Sequence, residues 1–216
     1  MSNSIYPPIN IRLGKLQIYH CQFPFDYKDN DNNKNNNKIK GNKYSEFDSI
    51  IVNSDYTKKY YYDYADNNYS CNYLNNINIL YPNCFENDIK QISKPEKIIF
   101  TTIGRIFKPY GNYSKNLDNI IKIFNKFLLF NIELYIIGTV QNTDYLNYLK
   151  KLIKNSNIYI KNDISNKEKN EILSKSTYYI HAMGISLNEE NNAACYEHFG
   201  ISPIEAMFYQ NIPIIS

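Results

Sequence analysis

Two carboxylates near the end of the chain flank a segment that can hold a phosphate. Glu197 and Glu205 are separated by seven residues, and the Phe-Gly-Ile turn at 199–201 leads into a run of helical pattern. Ser202 and Pro203 suit a helix start, because Ser caps free N–H groups and Pro has no N–H to leave unpaired. Such free N–H groups, together with the helix dipole, bind phosphate. A phosphate cradle between two carboxylates suits a diphosphate with hydroxyls at both ends, such as a nucleotide-sugar.

Two cations are candidates for neutralising such a diphosphate. Arg105 directly follows a predicted strand over 97–103, and Lys115 begins the next predicted helix. Arg can bind a diphosphate through two hydrogen bonds, whereas Lys acts as a compact point charge. Two solvated surface cations would show the same spacing, so this pair alone does not indicate a site.

The segments that must position these residues alternate between strand and helix patterns. Strands are predicted at 97–103, 134–138, 157–160, 177–181 and 212–215, and helices at 115–130, 145–154, 167–174 and 201–209. This alternation predicts βαβ units and a parallel sheet, in which ligands bind at the carboxyl ends of the strands. Several candidate residues follow predicted strands and are expected on that edge: Gly104, Arg105, Gly138, His181 and Glu197.

The first part of the chain has a weaker pattern of the same kind. Strands are predicted at 16–21, 47–54 and 77–82, and a helix at 55–64. Residues 26–43 form a low-complexity Asn, Asp and Lys tract, which predicts a disordered loop because it has little to bury. The polar, proline-containing stretch 86–96 is typical of a linker. The sequence therefore predicts one α/β domain over 1–85 and a second over 97–216.

Composition excludes several classes of protein. The net charge of +3 is too small to indicate a nucleic-acid partner. The four cysteines match no metal-binding spacing and are expected to be reduced thiols of a cytoplasmic protein. The apolar stretch 120–140 is interrupted by three charges, so no membrane span is expected there. No Gly-x-Gly-x-x-Gly follows a predicted strand, which disfavours a dinucleotide-binding dehydrogenase.

The carboxylate segment also resembles a known family. The run Glu-His-Phe-Gly-Ile-Ser-Pro-Ile-Glu-Ala-Met at 197–207 resembles the Glu-x7-Glu signature of retaining family 4 (group 1) glycosyltransferases, which have the GT-B fold. Gly-Arg at 104–105 and Lys-Asn at 115–116 resemble a second signature of that family. The loop between them is longer than usual, and Lys115 is preferred to Lys108 as the functional lysine. His-Ala-Met-Gly at 181–184, with the acidic run 188–190, resembles a bacterial-type branch.

The resemblance implies a hexosyltransferase that uses a nucleoside-diphosphate sugar, acts with retention and has a glycan or glycolipid acceptor. It gives catalytic roles to Glu197, Arg105 and Lys115. It gives donor-binding roles to Gly104, His181, Phe199, Gly200, Ile201 and Glu205. His181 can equally be a hydrogen-bonded histidine at a strand end, and the acidic run 188–190 is expected to be a solvated loop rather than a metal site. No metal or other cofactor is expected. A cytoplasmic location is expected, with or without peripheral attachment to a membrane.

The first domain resembles the family less closely. The segment 19–25 is similar to an acceptor-side segment that often holds a functional histidine, and this makes His20 and Gln22 acceptor-side candidates. The chain lacks the glycine-rich start and the final helices of a typical member, so it is expected to be incomplete at both ends. A truncated, non-catalytic module that binds nucleotide-sugars is therefore the alternative to an active enzyme.

Overall fold

The computed structural model describes residues 14–22, 47–68, 77–84, 92–127 and 131–216. The predicted Asn-rich loop over 26–43 lies outside these residues, as does the 86–91 part of the predicted linker 86–96. The chain divides into two compact units, Met1–Asn83 and Cys84–Ser216, and each is described by itself. Within the described ranges, every helix is too short or too polar to cross a membrane.

The first unit contains a three-stranded parallel sheet in the order β1-β2-β3. Its elements are β1 (Ile18–Cys21), β2 (Ser49–Val52), α1 (Asp55–Asn68) and β3 (Ile77–Ile79). Alternate strand residues are buried, as in a sheet with one covered face, and they form the core around Tyr19, Cys21, Ile50 and Val52. Ser54 caps α1, because its hydroxyl accepts a hydrogen bond from the Thr57 N–H at 3.0 Å.

The second unit contains a five-stranded parallel sheet in the order β6-β5-β4-β7-β8. Its strands are β4 (Ile98–Ile103), β5 (Ile132–Gly138), β6 (Ile158–Asn162), β7 (Tyr178–His181) and β8 (Ile212–Ile215). Its helices are α2 (Leu117–Phe124), α3 (Thr143–Leu152), α4 (Asn166–Lys175), α5 (Glu189–Asn192) and α6 (Ile201–Phe208). The predicted α/β architecture, with parallel sheets flanked by helices, is confirmed.

The strand order creates a binding position at one edge of the second sheet. From β4 the chain adds β5 and β6 on one side and then returns to add β7 and β8 on the other. Connections after β4 and β7 therefore leave in opposite directions, which opens a crevice at the carboxyl ends of these strands. The main core lies beside it, where the apolar faces of α2 and α3 pack against β4 and β5.

Helix α2 is shorter than the predicted segment 115–130. Asn116, the residue before it, has a left-handed backbone with φ of 53°, so the helix cannot begin at Lys115. At its other end the backbone N–H groups of Lys126 and Phe127 bond to carbonyls three residues back, which is a tightened last turn. Asn125 anchors that end by donating its side-chain amide to the Leu152 carbonyl at 2.8 Å.

Lys94 anchors two helices of the second unit from a position ahead of its first strand. Its ammonium donates to the carbonyls of Ser176 and Tyr209, each at 2.6 Å, and of Leu173 at 3.4 Å. Ser176 ends α4 and Tyr209 ends α6. A cation at the carboxyl end of a helix satisfies free carbonyls and complements the helix dipole. One side chain therefore serves both helix ends.

We expect Lys94→Met to lower the free energy of unfolding by about 2 kcal/mol, because charge-assisted hydrogen bonds to several carbonyls are lost. Urea denaturation followed by circular dichroism measures the change. Lys97→Met is the matched control, since Lys97 is a half-buried lysine whose described side-chain hydrogen bond goes to Glu133 and to no helix end. Equal stabilities of the two variants would contradict the anchoring role.

Candidate functional site

A cavity of about 410 Å³ lies at the carboxyl edge of the five-stranded sheet. Its wall consists of residues that follow β4, β5 and β6, together with the start of α6 and side chains from neighbouring segments. These are 103–105, Lys115, 137–139, 163–164, Asn166, Lys169, Glu197 and 201–202. The parallel alternation predicted this edge as the ligand position, and the cavity lies there.

Two glycines let the strands meet at the cavity floor. A methyl group on Gly138 would overlap the backbone carbonyl oxygen of Gly104. A methyl group on Gly104 would instead touch only the aliphatic stem of Lys115, at 3.4 Å. Gly138 therefore permits close approach of the ends of β4 and β5, and Gly104 leaves room along which the Lys115 side chain extends.

Glu197 is the centre of a charged cluster in the wall. The Lys115 Nζ lies 2.9 Å from the Glu197 Oε2 and donates a hydrogen bond to it. The His181 Nε2 lies 3.2 Å from the same oxygen, but without the angle of a hydrogen bond. His181 is 7% exposed, so this nitrogen is buried beside the carboxylate. The structure therefore brings three of the predicted site residues together.

The cluster keeps Glu197 ionised. Burial raises the pKa of its carboxyl, but the proximity of His181 and the charge and hydrogen bond of Lys115 outweigh this effect, and the pKa falls to about 2. Glu197 is therefore an anion throughout the neutral range. A carboxylate in this state accepts hydrogen bonds from hydroxyl groups and does not serve as a proton donor.

The loop before α2 holds Lys115 in place. The left-handed Asn116 donates its side-chain amide to the Ala182 carbonyl at 2.6 Å, and its backbone N–H to the Ser114 hydroxyl at 2.9 Å. The first contact ties the loop to the residue after β7, which is adjacent to His181. Asn suits this position because its short side chain tolerates the left-handed backbone. Of the two candidate lysines, Lys115 lines the cavity and Lys108 is not among the described lining residues.

The start of α6 differs from the prediction in one detail. The residue before the helix is Gly200, with a left-handed φ of 83° and no side-chain hydrogen bond to the helix. The expectation that Ser202 caps the helix is therefore wrong, because the helix begins one residue before it, at Ile201. Ser202 instead hydrogen-bonds to the hydroxyl of Tyr179 on β7. Ile201 and Ser202 still line the cavity, so the N-terminal turn of α6 faces it.

Arg105 is held at the cavity by the loop that follows it. Its guanidinium donates to the Tyr113 hydroxyl at 3.3 Å and lies 5.8 Å from the Phe107 ring centre. The Phe107 and Tyr113 rings stack at 5.3 Å. Tyr110 and Tyr113 exchange backbone hydrogen bonds across a tight turn, which orders the long loop. The insertion relative to the family signature thus has a defined structure around Arg105.

Glu205 has an ion-pair partner that the sequence did not predict. The Lys169 Nζ on α4 lies 3.0 Å from the Glu205 Oε1 on α6. Lys169 belongs to the cavity wall, whereas Glu205 is not among the described lining residues. The helical spacing of Asn166 and Lys169, one turn apart, places both on the cavity side of α4. That spacing was the one signal in the sequence for Lys169.

The remaining predicted residues lie elsewhere or contribute differently. His20 is exposed on β1 and Gln22 follows that strand, so both belong to the first unit. Phe199 precedes Gly200 and is half-buried. The acidic run predicted as a loop instead lies partly in the short helix α5, which contains Glu189 and Glu190 and whose Asn192 accepts a hydrogen bond from Asn112 at 2.7 Å.

Comparison with known proteins places this arrangement in a family. The model of the family described as glycosyl transferases group 1 matches residues 85–216. A search among curated proteins gave no significant match.

Three solved structures are similar in fold. WaaG, a glycosyltransferase involved in lipopolysaccharide biosynthesis, has a TM-score of 0.54 and 17% identity over 77% of this chain and 44% of its own. The lipopolysaccharide outer core galactosyltransferase WaaB has a TM-score of 0.52 and 15% identity over 80% and 44%. The pneumococcal O-GlcNAc transferase GtfA, solved with UDP and GlcNAc, has a TM-score of 0.53 and 14% identity over 79% and 30%.

The chain spans less than half the length of each of these structures. At such low identity they establish the fold, and the GT-B type predicted for this chain is confirmed. The family model covers more than half of the chain and includes the whole charged cavity. The chain therefore belongs to the family of group 1 glycosyl transferases.

Proposed function

We propose that this protein is a retaining glycosyltransferase of family 4, which transfers a hexosyl group from a nucleoside-diphosphate sugar to a glycan or glycolipid acceptor. The observation that carries the proposal is the cavity in which Arg105, the Lys115–Glu197 pair and the start of α6 meet. Two cations and a helix start suit a diphosphate, and the ionised Glu197 suits sugar hydroxyls. The UDP and GlcNAc in the GtfA structure support this reading.

The reaction breaks the bond between the sugar and the diphosphate, so negative charge develops on the leaving diphosphate. Arg105, Lys115 and the free N–H groups at the start of α6 would stabilise that charge. These groups are already fixed by neighbouring residues, so little reorganisation is needed at the moment of bond cleavage. Cations from the protein fill the role that a metal ion has in other transferases, and we propose that no metal or other cofactor is required.

Glu197 would accept hydrogen bonds from the hydroxyls of the donor sugar. Its ionised state, maintained by Lys115 and His181, makes it a strong acceptor. His181 Nε2 is buried in the same place and can contact the sugar or the diphosphate. Together with Gly104 and the 199–201 turn, these groups form the proposed donor site.

The two predicted domains would divide the binding of donor and acceptor. Residues 97–216 would bind the donor and residues 1–85 the acceptor, with His20 and Gln22 as acceptor-side candidates. WaaG is described as involved in lipopolysaccharide biosynthesis and WaaB as a lipopolysaccharide outer core galactosyltransferase. These descriptions support a glycan or lipid-linked acceptor. Such an acceptor implies a cytoplasmic protein that can associate peripherally with a membrane.

Titration calorimetry with UDP- and GDP-sugars tests donor binding, and a donor hydrolysis assay tests catalysis. NMR of the product tests retention, since the anomeric configuration of the donor should be preserved. Failure to bind any nucleoside diphosphate would contradict the proposal.

A non-catalytic module that binds nucleotide-sugars is the second candidate. The observation behind it is that the cavity with the Lys115–Glu197 pair and the start of α6 would bind a nucleotide-sugar whether or not transfer follows. The hydrolysis assay separates the two candidates. Tight donor binding with no release of sugar, in the presence of glycan and lipid acceptors, would support the module.

We expect Glu205→Ala to weaken nucleotide binding by about tenfold, because a carboxylate that accepts ribose hydrogen bonds is lost. Calorimetry with the best-bound nucleoside diphosphate measures the effect. Glu171→Ala is the matched control, since Glu171 is an exposed carboxylate on α4 outside this cavity wall. Unchanged affinity in Glu205→Ala would exclude the ribose role.

A further inference from the structure

Lys169, which lines the cavity, forms an ion pair with Glu205 on α6. The two side chains come from different helices and are 17% and 29% exposed. Their contact is therefore largely shielded from solvent. By contrast, the ion pair between Lys161 and Glu168 nearby is longer, at 3.6 Å, with both side chains at least 40% exposed. A pair on the surface contributes little, whereas a shielded pair fixes the position of both groups.

Of the two residues, Lys169 belongs to the described cavity wall and Glu205 does not. Lys169 lines the cavity with Asn166, one turn earlier on α4. One hydrogen of the ammonium is directed to Glu205, and an ammonium has three. Glu205 therefore restrains a flexible lysine while leaving it the capacity to donate to a ligand.

The pair offers a donor and an acceptor side by side. A vicinal diol, such as that of ribose, matches such a pair, because one hydroxyl can accept from the ammonium while the other donates to the carboxylate. A carboxylate alone would engage the diol only as an acceptor. The pairing thus adds a contact that Glu205 by itself does not provide.

We propose that Lys169 contacts the donor nucleotide and donates a hydrogen bond to one ribose hydroxyl, with Glu205 as its positioning partner. This inference rests on the proposed function, since it assumes that the cavity holds a nucleoside diphosphate. Lys169 would then distinguish a ribonucleotide from the deoxyribonucleotide that lacks the hydroxyl it contacts.

The test compares UDP and GDP with their 2′-deoxy and 3′-deoxy counterparts by calorimetry. For the nucleotide that the wild type binds more tightly, we expect removal of either hydroxyl to weaken binding by about tenfold, because a site built for a hydroxyl is left with an unpaired polar group. In Lys169→Met, one of these two penalties should disappear and the other should persist. Lys169→Arg keeps a hydrogen-bond donor, so it should retain part of the affinity penalty that disappears in Lys169→Met.

The quantity compared is the ratio of the affinities for a ribonucleotide and its deoxy counterpart within one variant. This ratio does not depend on a general loss of stability. Lys161→Met is the matched control and should keep both wild-type ratios, because it removes the exposed ion pair outside the cavity wall. If Lys169→Met also keeps both ratios, or loses both together, direct contact between Lys169 and the ribose is contradicted. A wild-type protein that binds none of the diphosphates would contradict the proposed function itself, and this inference with it.

Discussion

Lys115→Ala should reduce donor turnover by about a hundredfold, which is the typical effect of removing one preorganised group that stabilises transition-state charge. The ammonium is 2.9 Å from Glu197 and Lys115 lines the cavity, so its loss would remove the counter-charge that we propose for the diphosphate. It also removes one of the contributions that lower the pKa of Glu197. Donor hydrolysis, measured as kcat/KM, reports the effect.

Two further variants define what the lysine contributes. Lys115→Arg keeps the charge but alters its shape, and we expect it to recover part of the activity. Lys122→Ala is the control on the same helix, because Lys122 is half-exposed and pairs with Asp118 one turn away. Wild-type kcat/KM in Lys115→Ala, with the fold intact by circular dichroism, would rule out its role in catalysis.

Gly138→Ala should lower the free energy of unfolding of the second unit by about 3 kcal/mol, because the added methyl group must push strand backbones apart. The overlap is with the carbonyl oxygen of Gly104, which is backbone and cannot rotate away. Since both glycines line the cavity, binding of nucleoside diphosphates should weaken in the same variant. Urea denaturation and calorimetry measure the two effects.

Gly104→Ala is the matched control for the strand contact. Its methyl group would meet only the Lys115 stem at an ordinary contact distance, so we expect a loss of less than about 1 kcal/mol. If both alanine variants have the same stability, the close approach of β4 and β5 does not require Gly138.

Much of the fold was predictable because the second unit repeats one local pattern. Apolar runs such as 134–138 are typical of strands covered on both faces, and their alternation with helices implies parallel order. Because the carboxyl ends of such strands share one edge, the sequence also predicted that Gly104, His181 and Glu197 would lie near one another. The cluster around Glu197 follows from that topology.

Contacts between helices were not predictable in the same way. Lys169 occurs in a run of Lys, Asn and Glu whose composition resembles any solvated helix. Its pairing with Glu205 depends on how α4 and α6 pack, and no sequence spacing between 169 and 205 encodes it. Helix α6 begins at Ile201, as in the predicted segment 201–209, but Ser202 does not cap it, because the left-handed Gly200 takes the position before the helix.

The contacts of Lys94 have a consequence for where the part of the chain that forms the cavity begins. Helices α4 and α6 direct their N-terminal halves to the cavity, while their carboxyl ends share the Lys94 ammonium. The separation of Lys169 and Glu205 is therefore influenced from the opposite end of both helices. A fragment that starts at the first strand of the sheet would contain every residue of the cavity wall. It would still lack the ammonium that bonds to the carboxyl ends of two of its helices.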